Sequence, residues 1–353
     1  MKSHNNALSG KPMALVAGLV AATVALAGCG SDGDRATEAS QDAVTVTNCG
    51  EDETFPSPAE RIFVNDSNMI SMLLAIGAED QIAAVSSMER DKDILATVYG
   101  KNIVQSLNVA NKDKPTLENV IAHKPDVFFA GWNYGYDEQQ NLTPDGLADR
   151  DIAAYTLSES CRQGDGSARG TMPAWQALTT DISNLGKIAG RQDSAGAVVD
   201  DIKKRLDALE SAPSADTSPT VLLFDSGTKE ITTSGSFGGP QAIINAAGAK
   251  NTAGDIDDTW TSISWERIAA AEPDFIAFVD YPGQTFDDKV KQLRANSATK
   301  DLPAVKQERF LNLPYAMWTS GPLNIDAAEL LRKNLEEASL VPDSDINPEL
   351  DLD

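Results

Sequence analysis

The chain has 353 residues, 29 Lys+Arg against 53 Asp+Glu, a formal net charge of -24 and 41% hydrophobic residues, which is enough apolar material for about two folded domains. That charge repels a phosphate backbone and no basic cluster offsets it locally, so no nucleic-acid partner is expected.

In chain order, Lys2 and Lys11 give a basic start, residues 13–27 form an apolar run, and Leu26-Ala27-Gly28-Cys29 closes it. The run is short for a bilayer span and a small-residue site follows it, which predicts a secretion signal over 1–28. The ending resembles the lipobox of bacterial lipoproteins, which implies a lipid on Cys29 and places the protein, lipid-anchored, on the extracytoplasmic face of the cell membrane. An uncleaved anchor helix is the alternative. Residues 29–42, rich in Ser, Asp, Glu, Gly and Ala, read as a flexible tether. Cys49 and Cys161 then remain in a compartment where disulfides persist, and they are expected to pair. Free thiols or a metal pair are the alternatives, although Cys49 has no CxxC partner to support zinc.

The body alternates short apolar runs with helical patterns. A short strand over 44–47, strands over 61–65, 82–86, 127–130 and 152–157, and a helix over 67–76 make a first α/β unit. A second has strands over 221–224, 275–279 and 310–313 and helices over 240–247, 265–271 and 326–338. Runs rich in Val, Ile and Phe between helices fit parallel sheets covered on both faces. The halves also align without a gap over 116–130 and 264–278. Each segment has a hydroxyl cap, a helix, a Pro-Asp stop and an apolar strand. Between the halves, Val198, Ile202, Leu206 and Leu209 mark one face of a helix of about 20 residues, long enough at about 30 Å to run from one half to the other.

The predicted fold is therefore α/β, with two Rossmann-like lobes of mostly parallel sheet, 43–190 and 213–340. A single long helix over 191–212 joins them, a ligand crevice lies between them, and an acidic tail occupies 341–353. This arrangement resembles the substrate-binding lipoproteins of bacterial ABC importers for iron-siderophore, haem and corrinoid complexes. The resemblance runs through residues 58–64, 73–78, 117–130, 184–191 and 264–279. An actinobacterial subgroup, labelled as importing iron complexes or a deazaflavin cofactor precursor, is similar at Cys49-Gly50, 130–132, 257–265 and 296–299. The resemblance implies a monomer that carries a small-molecule metal chelate or cofactor-like ligand to an ABC permease, with no cofactor of its own beyond iron held in a siderophore. A Glu on the first helix of each lobe commonly docks to the permease in these families. The matching positions here are Ser71 and Ala242, so docking is expected to use other acids such as Glu79 or Asp80.

In a two-lobe α/β protein the ligand sits at the carboxyl ends of the strands. Candidates there are Trp132, Tyr134 and Tyr136 in the first lobe and Ser226, Ser236, Phe237, Tyr281, Tyr315 and Trp318 in the second, with Arg90 and Arg162 as cations for ligand oxygens. Packing within loops is the alternative for the aromatics, turn formation for the Gly/Ser-rich 234–239, and surface solvation for the arginines. Beyond the signal only His123 remains, so a multi-histidine metal site cannot form within one chain. The sequence has no GxSxG, HExxH or CxxC, and no enzyme activity is expected. A carboxylate-based hydrolase built on acids such as Asp257-Asp258 is the competing class.

Overall fold

Two parallel sheets carry the architecture of the computed structural model, which describes residues 42–350 and Leu352. The signal over 1–28, the lipidation of Cys29 and all of the tether except Asp42 lie outside the described residues. The first sheet orders its strands Val109–Asn111, Ile82–Ser86, Ile62–Asn65 and Val127–Trp132, with Ala153–Thr156 and the short Gly135–Tyr136 also pairing with Val127–Trp132. The second runs Lys250–Asn251, Thr220–Phe224, Phe275–Asp280, Phe310–Pro314. All pairings within both sheets are parallel. Ile62–Asn65 is buried at every position and Phe275–Asp280 at all but the last, as expected of strands covered on both faces.

The two aligned segments occupy equivalent places. Thr116 Oγ1 accepts the N–H of Asn119 and Ser264 Oγ that of Arg267, both at 3.3 Å. The helices Leu117–Ala122 and Trp265–Ala271 then lead into Val127–Trp132 and Phe275–Asp280, each of which lies between two neighbours in its sheet.

The connecting helix is Gln192–Glu210. Its buried face is Ala195, Val199, Ile202 and Leu209, with Val198 and Leu206 half-buried at the edge, so the expected stripe is turned by about one residue. It packs beside Ala174–Ile188 so closely that a Cβ on Gly186 would lie 2.4 Å from that of Ala195. At its other end Arg205 forms ion pairs at 2.6 Å with Asp326 and Glu329 of the last helix, Asn324–Glu337. Apolar residues of both lobes and of this helix form one continuous core, including Leu73, Leu185, Ile202, Ile244 and Leu331.

Two antiparallel ribbons complete the fold. In the first, Ala43–Asn48 pairs with Glu51–Pro56 across the turn Cys49-Gly50, both at positive φ. The second strand is acidic and buries only Phe55, so an apolar pattern could not reveal it. The second ribbon pairs Ile231–Ser234 with Trp260–Ile263. Cys49 and Cys161 are disulfide-bonded across 112 residues, which ties the first turn to the end of the Ser158–Ser160 turn. The acidic C-terminal stretch is not a free tail: Val341 and Ile346 are buried, and Arg332 donates to the Pro342 carbonyl at 2.7 Å.

Candidate functional site

The carboxyl ends of the strands of both sheets face one another. In the first lobe Ile62–Asn65 delivers Asp66, Ile82–Ser86 leads to Arg90 and Asp91, Val127–Trp132 leads to Tyr134, and Ala153–Thr156 leads to Glu159. In the second lobe Thr220–Phe224 delivers Asp225, Phe275–Asp280 delivers Tyr281 and Phe310–Pro314 delivers Tyr315. The lobes touch through these side chains. Tyr315 donates its hydroxyl to Asp66 Oδ2 at 3.3 Å, Asp91 Oδ1 accepts the Ala316 N–H at 3.0 Å, and Asn68 Nδ2 donates to the Ser320 carbonyl at 2.7 Å. On the other side of the crevice the Arg169 N–H donates to Asp258 Oδ1 at 3.1 Å.

A cavity of about 200 Å³ lies between the two sets of contacts, lined by Asn133, Tyr134 and Arg169 from one lobe and Asp225, Thr232, Trp260, Tyr281 and Tyr315 from the other. Tyr281 is also a wall of a second cavity, of about 460 Å³, which includes Ser87, Glu89, Arg90 and Lys112. The placement of Tyr134 follows from its loop. Gly131 and Tyr134 exchange backbone hydrogen bonds at 3.2 and 2.9 Å, and Asn65 Nδ2 donates to the Tyr134 carbonyl at 2.6 Å. Gly135 has φ 123°, and a Cβ there would lie 2.9 Å from Asn65 Nδ2, so only glycine fits.

Arg90 lines the larger cavity, ion-paired to Asp66 and to Asp91, the latter at 3.2 Å, and lies 3.8 Å above the Tyr315 ring. Burial would lower its pKa, and Asp66, Tyr315 and Asp91 together raise it, so it stays a cation. Burial pushes Tyr134 and Tyr315 well above the usual phenol range and raises Tyr281 as well, which keeps all three as neutral hydroxyls.

Other predicted residues lie elsewhere. Trp318 is fully buried and donates its indole N–H to the Phe278 carbonyl at 3.1 Å, so it belongs to the core and not to the crevice wall. Tyr136 is buried too, its hydroxyl on the Tyr155 carbonyl at 3.2 Å. Arg162 stacks 3.6 Å over the half-buried Trp132 and pairs with exposed Glu138 at 2.6 Å, so neither lines the central cavity. Ser226 reaches it only through Asp225, to whose Oδ2 it donates at 2.7 Å. Ser236 bonds the Ile256 carbonyl at 3.0 Å and borders a different pocket, beside Trp175 and Ala242. Phe237 packs on Gly170, where a Cβ would meet its own Cβ at 2.2 Å. His123 bonds the Asn119 carbonyl at 2.8 Å and meets the edge of Phe63, a packing role.

Asp66, Asp91, Glu159, Arg169, Asp225 and Trp260 were not among the predicted contacts. Asp66 and Asp225 carry the one signal that could have found them, an acid directly after a buried strand. Glu159 is 1% exposed; it accepts the Tyr134 hydroxyl at 3.2 Å and the Gly239 N–H of the other lobe at 3.2 Å. Burial lifts its pKa to about 6 against the opposing pull of Arg169 and these donors.

Residues 62–316 match the model of the periplasmic binding protein family. The chain belongs to that family. Its members are non-catalytic solute-binding components of transport systems, and this protein is accordingly a binding protein and not an enzyme. It is 24% identical over 332 residues to an uncharacterized ABC transporter substrate-binding lipoprotein, YvrC, of Bacillus subtilis, covering 90% of this chain and 95% of that one. Among solved structures, a periplasmic binding protein from Veillonella parvula superposes with a TM-score of 0.69 at 22% identity, over 84% of this chain and 98% of the other. An ABC-type Fe3+-hydroxamate transport protein from Saccharomonospora viridis gives 0.65 at 20% identity, over 83% and 98%. These structural likenesses establish the two-lobe fold.

Proposed function

We propose that this solute-binding component of an ABC importer works as a lipid-anchored monomer outside the cytoplasm. It captures an iron-siderophore-like chelate between its lobes and delivers it to a membrane permease. The observation that carries the reading is the crevice wall: Tyr134 from one lobe and Trp260, Tyr281 and Tyr315 from the other line one cavity, beside Arg169. Aromatic rings give large contact area at low entropy cost, and neutral hydroxyls with an arginine suit the oxygen-rich shell of a chelated metal. Iron then enters only inside its ligand. The aromatic wall also accepts a flat ring, which favours a corrinoid or deazaflavin cofactor precursor as the second reading. Permease docking falls to acids such as Glu79 and exposed Asp80, because Ser71 is buried with its hydroxyl 2.6 Å from that of Tyr99.

Titration of tryptophan fluorescence with a panel of ferric siderophores, corrinoids and deazaflavins tests this. Trp260 in the cavity wall should report occupancy, and Trp260→Phe should remove most of the signal while Trp318→Phe leaves the ligand response intact. Absence of saturable binding at micromolar concentration across the panel would overturn the cargo class.

A further inference from the structure

We infer that the crevice selects a cationic metal chelate over an anionic one, and that Asp225 sets this preference. The inference rests on the siderophore reading above and names the charge class of the cargo.

The two arginines facing the crevice are already matched by acids. Arg90 is held by Asp66 and Asp91. Arg169 lies 3.8 Å from Asp258 and also faces Glu159, which leaves its Nε–H without a hydrogen-bond partner but its charge offset. At the mouth Lys112 shares the larger cavity with Glu89 and Asp113. Asp225 stands differently. It is 9% exposed and lines the central cavity, and its Oδ2 accepts only the Ser226 hydroxyl. Among the described residues no Lys or Arg is ion-paired to it. Lys289, whose ammonium donates to the Val279 carbonyl, and Arg90, held by its own two acids, act on it only at longer range.

A carboxylate taken out of water without a counterion is costly, and a ligand cation placed against it recovers that cost in a medium of low dielectric. A bound cation would also approach the half-buried ring of Tyr281, whereas the Tyr315 ring already carries Arg90 at 3.8 Å. An anionic chelate meets the reverse situation: its charge faces Asp225, and the arginines that could offset it are neutralised by their own carboxylates.

The test compares a ferric trihydroxamate carrying a free ammonium group with a ferric tris-catecholate of similar size, by tryptophan fluorescence of the purified protein at neutral pH. The cationic chelate should bind about ten-fold tighter or more, and added salt should narrow the gap. In Asp225→Asn, with its fold checked by circular dichroism, the preference should shrink to about three-fold or less. Equal or reversed preference in the wild type overturns the inference and leaves the siderophore reading standing. Binding of neither chelate overturns both. An unchanged preference in a folded Asp225→Asn removes the assignment to Asp225; if that variant does not fold, the wild-type preference and its salt dependence still decide the charge class.

Discussion

The Glu159 carboxylate of the first lobe accepts the Gly239 N–H of the second at 3.2 Å, at the start of the helix Gly239–Ala246. No side chain could replace the hydrogen of Gly239 without movement, because a Cβ there would lie 2.7 Å from the Trp318 carbonyl oxygen. The contact therefore depends on backbone meeting carboxylate directly. Glu159→Ala leaves that N–H and the Tyr134 hydroxyl buried without an acceptor and Arg169 less well offset. The expected loss is about 3 kcal/mol, read as a lower urea midpoint with an unchanged slope.

Asp181 lies behind this latch, fully buried. It accepts the Tyr155 hydroxyl at 2.7 Å and the Ser158 hydroxyl at 2.6 Å. Burial raises its pKa from 3.8 to about 7, and that of Glu159 from 4.5 to about 6. Folding therefore favours the protonated carboxyls. Each group's contribution is most favourable below its unfolded pKa and declines as pH rises through the folded value. For Glu159 the change amounts to about 2 kcal/mol. Melting temperatures of wild type and Asp181→Asn between pH 4 and 8 should differ in slope, with the variant falling less steeply toward neutral pH; parallel curves would contradict the assignment.

The Cys49–Cys161 bond closes a 112-residue loop and anchors the turn that carries Glu159. Limiting the unfolded chain in this way stabilises by roughly 4 to 5 kcal/mol. Replacing both cysteines by serine should lower the melting temperature by about 10 °C and weaken ligand capture, since the Ser158–Ser160 turn loses its covalent tie. Thiol titration of the unfolded, unreduced protein should find neither sulfur free.

Arg205 of the connecting helix is mostly buried and pairs with Asp326 and Glu329, whose side chains are 12% and 6% exposed. Arg205→Met leaves two buried carboxylates without their cation, and a loss of about 3 to 5 kcal/mol is expected. Adding Asp326→Asn and Glu329→Gln should restore much of it, because the cost lies in the orphaned charges. Chemical denaturation of the three proteins checks this.

Local features were legible in the sequence because their causes are local. The hydroxyl caps at Thr116 and Ser264, the Pro-Asp stops and the apolar strands they introduce depend on a few adjacent residues, and all appear at or near their expected positions. Pairing of Cys49 with Cys161 followed from compartment and count. Which side of a strand end points into the crevice did not follow from any of this. Trp318 and Tyr315 are three residues apart, yet the short turn Tyr315–Met317 sends one into the core and leaves the other against Arg90. Arg90 and Arg162 each follow a strand of the first lobe, and the approach of Asp66 from the neighbouring strand end makes Arg90 a half-buried, doubly paired cation, while Arg162 lies exposed over Trp132. Glu159 and Asp225 gain their character from burial against the opposite lobe, 80 residues away in the case of Gly239. Charge and burial at an interlobe site are properties of long-range contacts, and periodicity within a segment carries no information about them.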